Sequence, residues 1–319
     1  MTVPVSEVMA GLVAVVRGTD LPAVGSAEDL RAWAGHNSDE LTDLLHAYGA
    51  VLLRGLPVGE PAEFAAVAEA LSGPLRPYVD GTSPRSSVGE GVYTSTEYPS
   101  EYPISLHQEL SYACRWPARV FFYCARPAES GGETLLASGE VPLRALDPAV
   151  VDSFRASGVR YLRTLHGGRG PGRSWQETFE TADRAAVERY LADDAAEFTW
   201  LPGGGLRVSQ QRVALRRHPV TGTEVWFNQV DQWHPSNLDA TTRRALESVF
   251  RPDELPLNAC LGDGRPLEED ALDTLRAAFR DAAVPVAWQR HDLLMIDNML
   301  LAHGRAPFRG DRRVLVGMA

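Results

Sequence analysis

The chain has no lysine; all 31 of its basic residues are arginine. Schiff-base chemistry and the lysine of a phosphate-binding P-loop both need a primary amine, so neither is available. Positive charge is also in deficit. The 42 acidic residues leave a formal net charge of −11, where a nucleic-acid or anionic-membrane partner would call for a basic stripe. Cysteine is scarce. Cys114, Cys124 and Cys260 are too widely spaced for a CxxC metal pair or a disulfide framework, which fits a reducing cytoplasm. The apolar run Val8 to Val16 is too short to span a membrane and follows no basic segment, so neither a span nor a signal peptide is expected. Repeats, low-complexity tracts and Pro/Gly/Ser linkers are missing too, and a single domain over 1–319 is expected.

What is present alternates between helix and strand. Ser38-Asp39-Glu40 opens a helix with Leu41, Leu44, Leu45 and Tyr48 on one face, and Gly49 stops it. Val51 to Leu53 reads as a buried strand, and 62–71 as a second amphipathic helix. From about residue 104 strands dominate: Arg119 to Arg126, Glu133 to Ser138, a hairpin over 213–229, then Val284 to Trp288, Leu293 to Ile296 and Arg313 to Val316. Helices are expected near 142–156, 182–191, 240–250 and 267–279. The Gly-rich stretch His166 to Arg173 reads as a surface loop or a lid over a site. The pattern predicts a mainly β protein of α+β type with a jelly-roll core, carrying helical insertions at about 139–200 and 239–281.

Two contexts carry chemistry. In His107-Gln108-Glu109 an imidazole and a carboxylate lie two residues apart, so on an extended segment both leave the same face. A second imidazole would complete the facial triad of non-haem Fe(II) oxygenases, although HxE alone also occurs in solvated loops. The second context is His303-Gly304-Arg305, shortly after an apolar strand. Ten residues further on, Arg312-Arg313 enters an apolar run. An arginine there needs a partner for its charge, and its planar fork matches a carboxylate, so a carboxylate-bearing cosubstrate is expected. Period-2 geometry lets only one of the pair point inward.

On these stretches the chain resembles the taurine dioxygenase/TfdA superfamily of Fe(II)/2-oxoglutarate-dependent oxygenases, and within it the SyrP-like branch of natural-product and antibiotic gene clusters. The resemblance rests on residues 106–138, 200–210, 216–229, 236–238 and 297–318, in order over most of the chain. It implies a double-stranded β-helix core, with Fe(II), 2-oxoglutarate and O2 as cofactors. It implies that His107, Glu109 and His303 are metal ligands, that Arg313 rather than Arg312 grips the cosubstrate's distal carboxylate, and that Thr134 is its hydroxyl partner. Glu109 replaces the superfamily's commoner Asp with the same charge and ligand atom. Related halogenases have a small residue there, so Glu109 speaks against halogenation.

The resemblance further implies hydroxylation of an unactivated C–H bond in an amino-acid-like small molecule, free or tethered to a peptidyl carrier protein. Desaturation, epoxidation and cyclisation would use the same ligands. Thr94, Thr96, Glu97, Tyr98, Gln108, Ser111, Tyr112 and Arg305 are the candidate substrate contacts, each with an alternative as ordinary strand-edge polarity or, for Arg305, an ion pair. Two other classes remain open at this point. A zinc hydrolase would use the same donors, and a β-barrel binding protein would retain the fold without catalysis.

Overall fold

Helix Ser38–Tyr48 turns Leu41 and Leu45 inward and ends at Gly49, whose φ of 89° is the left-handed conformation that suits glycine. A Cβ at Gly49 would sit 2.7 Å from Leu301, so the close packing there also demands glycine. The computed structural model describes residues 3–319. With its neighbours Ala27–His36 and Pro61–Ser72, this helix buries Leu30, Leu41, Leu45, Phe64 and Val67 on the outer face of an eight-stranded sheet.

That sheet runs Glu7–Met9, Val13–Arg17, Ala50–Arg54, Leu293–Asp297, Arg119–Arg126, Arg313–Met318, Val92–Thr94 and Ser87–Gly89. Its central strands are buried on both faces. Phe121, Tyr123 and Leu315 meet the helices, while Val120, Phe122, Cys124, Val314 and Val316 face inward. The inner face packs on a four-stranded antiparallel sheet of Val284–Val286, Thr134–Ser138, Leu301–Arg305 and Ile104–His107. Together these two sheets form the jelly roll. No helix among the described residues is long and apolar enough to cross a membrane.

The inserted segments differ from expectation in holding strands as well as helices. Glu197–Trp200, Leu206–Arg212, Val159–Leu165 and Leu257–Leu261 make a third sheet. Val159–Leu165 alternates buried and half-buried residues along its whole length, but Arg163 stands at one of the buried positions and hides that period in the sequence. The helix expected over 142–156 is two, Val141–Ala145 and Pro148–Ser157, because Pro148 starts a new first turn. The loop 167–172 is exposed.

The third sheet pins the chain between the helices and the site. Arg163 forms an ion pair with Asp80, with both side chains at most 1% exposed. Arg173 donates to the carbonyls of Gly81 at 2.8 Å and Ser83 at 3.2 Å, and the Tyr112 hydroxyl donates to the Asp80 carbonyl at 2.7 Å. Removing one member of such a pair strands a buried charge. Asp80→Ala is expected to lower unfolding free energy by about 3–5 kcal/mol in urea denaturation, and Asp80→Ala/Arg163→Met to recover much of that. Equal midpoints for the single variant and the parent would show that the pair contributes nothing.

Candidate metal centre

His303 lies in strand Leu301–Arg305 directly opposite His107 of strand Ile104–His107. Directly opposed residues project to the same face, and the two ring centroids are 4.5 Å apart. The ladder shifts register just beyond His303, where a Cβ on Gly304 would come within 2.5 Å of the Ile104 carbonyl oxygen. Glycine permits that approach. From the facing sheet, the Phe122 ring packs edge-on against His303 at 5.3 Å.

Nδ1 of His107 bonds the Ser105 carbonyl at 2.9 Å, which assigns its proton to Nδ1 and leaves the Nε2 lone pair free. Burial holds both imidazoles below their ordinary pKa. For His107 the charge of Glu109 partly opposes this, while for His303 the electropositive neighbours His107 and Arg85 add to it. Both rings are therefore neutral at pH 7, as metal ligation requires.

Glu109 reaches the pair by a different route from the one expected. The strand stops at His107, and Leu110 takes φ 54°, so the carboxylate arrives on a turn. Asn298 fixes that turn. Its Oδ1 accepts from Glu109 N at 2.7 Å, and its Nδ2 donates to the carbonyls of Glu109 at 2.9 Å and Pro117 at 2.8 Å. Glu109 Oε2 lies 3.8 Å from His303 Nε2. That is the roughly 3–4 Å separation of donors sharing one ion. One donor atom from each of His107, Glu109 and His303 falls within 4.8 Å of the others. Two neutral imidazoles and one carboxylate, buried and convergent, fit a divalent metal with room for exogenous ligands.

The arginine expectation is corrected. Arg313 is exposed at the edge of its strand, and Arg312 lines the cleft together with Thr134, Thr96, His107 and His303. Val314, Val316 and Met318 face the jelly-roll interior; the ladder shifts register between Arg313 and Val314, and Arg312, just before the strand, lines the cleft. Because Leu315 is buried on the opposite face, the apolar pattern could not reveal this phase. Arg312 donates from Nε to the Gly132 carbonyl at 3.0 Å and from Nη1 to Ser95 Oγ at 3.3 Å, and it forms no ion pair among the described residues. Burial, with Arg305 nearby, pushes its pKa down to about 10.

The other candidates are divided. Thr96 lines the cleft. Arg305 also borders it, but its Nη atoms donate to the carbonyls of Tyr98, Pro99 and Tyr102, so it anchors that loop, and it forms no ion pair among the described residues. Gln108 turns into the core, donating to the Trp226 carbonyl at 2.6 Å. Thr94 donates to the exposed Glu97 at 2.9 Å, and the two brace a surface turn. Tyr98 is exposed, Tyr112 holds Asp80, and buried Ser111 is not part of the cleft wall. The sequence reading missed Arg85, whose Nη2 is 2.6 Å from Glu109 Oε2. It lies in the irregular stretch Ser83-Pro84-Arg85-Ser86, where no period marks a face.

A second cluster, His46, His218 and Asp297, has donor atoms at similar spacing. His218 Nδ1 accepts from Val220 N at 3.3 Å and Thr221 N at 3.1 Å, so its proton sits on Nε2 and is donated to Asp297 at 3.1 Å. An ion there would have to displace that proton, and the cluster is a structural brace. A cavity of about 220 Å³ lies between helices Pro148–Ser157 and Glu269–Asp281 and is walled mainly by aliphatic and aromatic residues such as Phe154, Trp226 and Leu272.

A jelly roll that brings two histidines and a glutamate together between its sheets has the frame of a metal-dependent enzyme. The chain belongs to the taurine catabolism dioxygenase TauD, TfdA family, which matches residues 17–319. It is 37% identical over 278 residues to the dapdiamide synthesis protein DdaC of Enterobacter agglomerans, covering 87% of this chain and 84% of that one. It is 32% identical over 290 residues to a clavaminate synthase-like protein of Arabidopsis thaliana, covering 87% and 83%. Among solved structures it shares its fold with PvcB, an Fe, alpha-ketoglutarate dependent oxygenase from an isonitrile synthetic pathway, at TM-score 0.51 and 16% identity over 96% of this chain and 85% of that one. AAD-2 in complex with Mn(II) and N-oxalylglycine aligns at TM-score 0.53 and 13% identity over 100% and 97%.

Saturation with Co(II) or anaerobic Fe(II) is expected to stabilise the parent by about 2.7 kcal/mol at one hundred times Kd. His303→Ala and Glu109→Ala should lose most of this in thermal denaturation. His218→Ala should keep it; loss of metal stabilisation in that variant alone would move the centre to the other cluster.

Proposed function

We propose that this dioxygenase hydroxylates an unactivated C–H bond of an amino acid or amino-acid-derived substrate in natural-product synthesis. Fe(II), 2-oxoglutarate and O2 are its cofactors. The observation that carries the reading is Arg312, a cation in the cleft beside the His/Glu/His donors with a hydroxyl and a carbonyl but no carboxylate against it. A keto acid with a second carboxylate supplies the missing charge.

In this reading His107 and His303 hold the ion through Nε2 and Glu109 through one oxygen. Arg312 binds the distal carboxylate of 2-oxoglutarate, and the buried Thr134, across the ladder from Arg305, supplies a hydroxyl. Iron held there, with the keto acid and O2, would supply the oxidant for the C–H bond. Phe122 and Val316 keep the cleft apolar beside the ligands, which limits loss of oxidising equivalents to water. DdaC, named for dapdiamide synthesis, supports an amino-acid-related pathway. Glu109 occupies the position a halide would need, which supports hydroxylation over halogenation.

Anaerobic addition of Fe(II) and 2-oxoglutarate should give a weak visible charge-transfer band, and admission of O2 with substrate should release succinate and add one oxygen atom to the product mass. A product lighter by two hydrogens would replace hydroxylation with desaturation. Metal-dependent hydrolysis indifferent to O2 and 2-oxoglutarate would replace the oxygenase by a zinc hydrolase.

Arg312→Met should raise the KM for 2-oxoglutarate about ten- to hundredfold, the size of a lost charge-assisted bond. Arg313→Met should stay within about twofold of the parent, since the change is at the surface. The reverse ranking in a succinate assay would return the role to Arg313.

A further inference from the structure

The metal ligands account for His107, Glu109 and His303, and the keto acid accounts for Arg312 and Thr134. Arg85 is left over. Its side chain is 4% exposed, and Nη2 is committed to Glu109 Oε2 at 2.6 Å. Nε and Nη1 are buried without a hydrogen-bond partner among the described residues. Guanidinium donors left empty in a buried site are costly. Relaxation into solvent is blocked, because the guanidinium lies 4.3 Å from the Tyr78 ring centroid and the preceding residues are tied down by Arg163 and Arg173.

Charge points the same way. Glu109 neutralises Arg85 in the metal-free chain, but an ion at Glu109 competes for the same carboxylate. One negative charge does not balance both a divalent ion and a buried guanidinium. In that reading the two carboxylates of the keto acid are used at the ion and at Arg312, which shares the cleft wall with Arg85 but bonds Gly132 and Ser95. The groups against Arg85 are Glu109 and Tyr78. A further anion is therefore called for on the Glu109 side of the cleft.

We propose that Arg85 determines substrate specificity: with Nη2 on Glu109, its unpartnered nitrogens bind the free carboxylate of the amino-acid substrate. The inference rests on the oxygenase reading and narrows it to a free acid, because a thioester on a carrier protein has lost that charge.

The anaerobic Fe(II)·2-oxoglutarate complex of the full chain is titrated with the proteinogenic amino acids, their carboxamides and their N-acetylcysteamine thioesters, following the charge-transfer band. At least one free acid should perturb the band, with its carboxamide and thioester about tenfold weaker or more. Arg85→Met should erase that preference. If Arg85→Met loses the band because Glu109 has shifted, Arg85→Lys keeps a cation against Glu109 and decides the matter. An intact band with weakened acid binding supports the proposal, and unchanged acid binding overturns it. A thioester that binds as tightly as its acid, or a band that no acid perturbs, overturns it while leaving the oxygenase reading in place. Failure of the parent to form the band at all removes that reading and the proposal with it.

Discussion

His303 stands opposite His107 in neighbouring antiparallel strands, and the centre is built around that register. A slip of one residue would send either imidazole to the other face of the sheet. Gly304 guards the register, since any side chain there would strike the Ile104 carbonyl. The facing sheet closes the site with Phe122, so the histidines are neutral because they lie between two apolar layers. Glu109 needs a separate device, because its strand has already ended. Asn298 provides it by bonding both backbone groups of Glu109.

The cleft is cationic within an acidic protein. Arg85, Arg305 and Arg312 line it, and each is accommodated differently. Arg305 gives its Nη atoms to backbone carbonyls of the 98–102 loop and leaves Nε without a partner among the described residues, Arg85 shares Glu109, and Arg312 has only a carbonyl and a hydroxyl. Net charge describes the molecular surface and its solubility. The local arrangement governs what enters the site, and here it favours anions. The third sheet takes part from a distance through Arg163, and Arg173 of the loop that follows its strand helps hold the segment that delivers Arg85.

Much of the fold is legible in the chain because local signals agree with the tertiary answer. Helix Ser38–Tyr48 follows from its apolar spacing and Gly49, and strand Arg119–Arg126 from its aromatic run. The strands of the third sheet were less legible, because in Val159–Leu165 Leu162 stands at a half-buried position and Arg163 at a buried one, which interrupts the apolar alternation even where burial is regular. Pro148 splits one apparent helix for a purely local reason.

At the site the division is sharper. Residue types and spacing marked His107 with Glu109 and the context of His303, because donor chemistry and strand-length spacing are local properties, while the full ligand set and Thr134 came from the family resemblance. The same local signals also narrowed the inward arginine to a pair. Which of Arg312 and Arg313 faces the cleft was decided only by the sheet, since a strand buried on both faces carries no alternation from which to read its phase. The partners of Arg305 and Gln108 were hidden for a similar reason: the 98–102 carbonyls and the Trp226 carbonyl are distant in sequence and adjacent only in the fold. Arg85 entered in the same way, carried to Glu109 by a buried ion pair between residues 80 and 163 that no local pattern encodes.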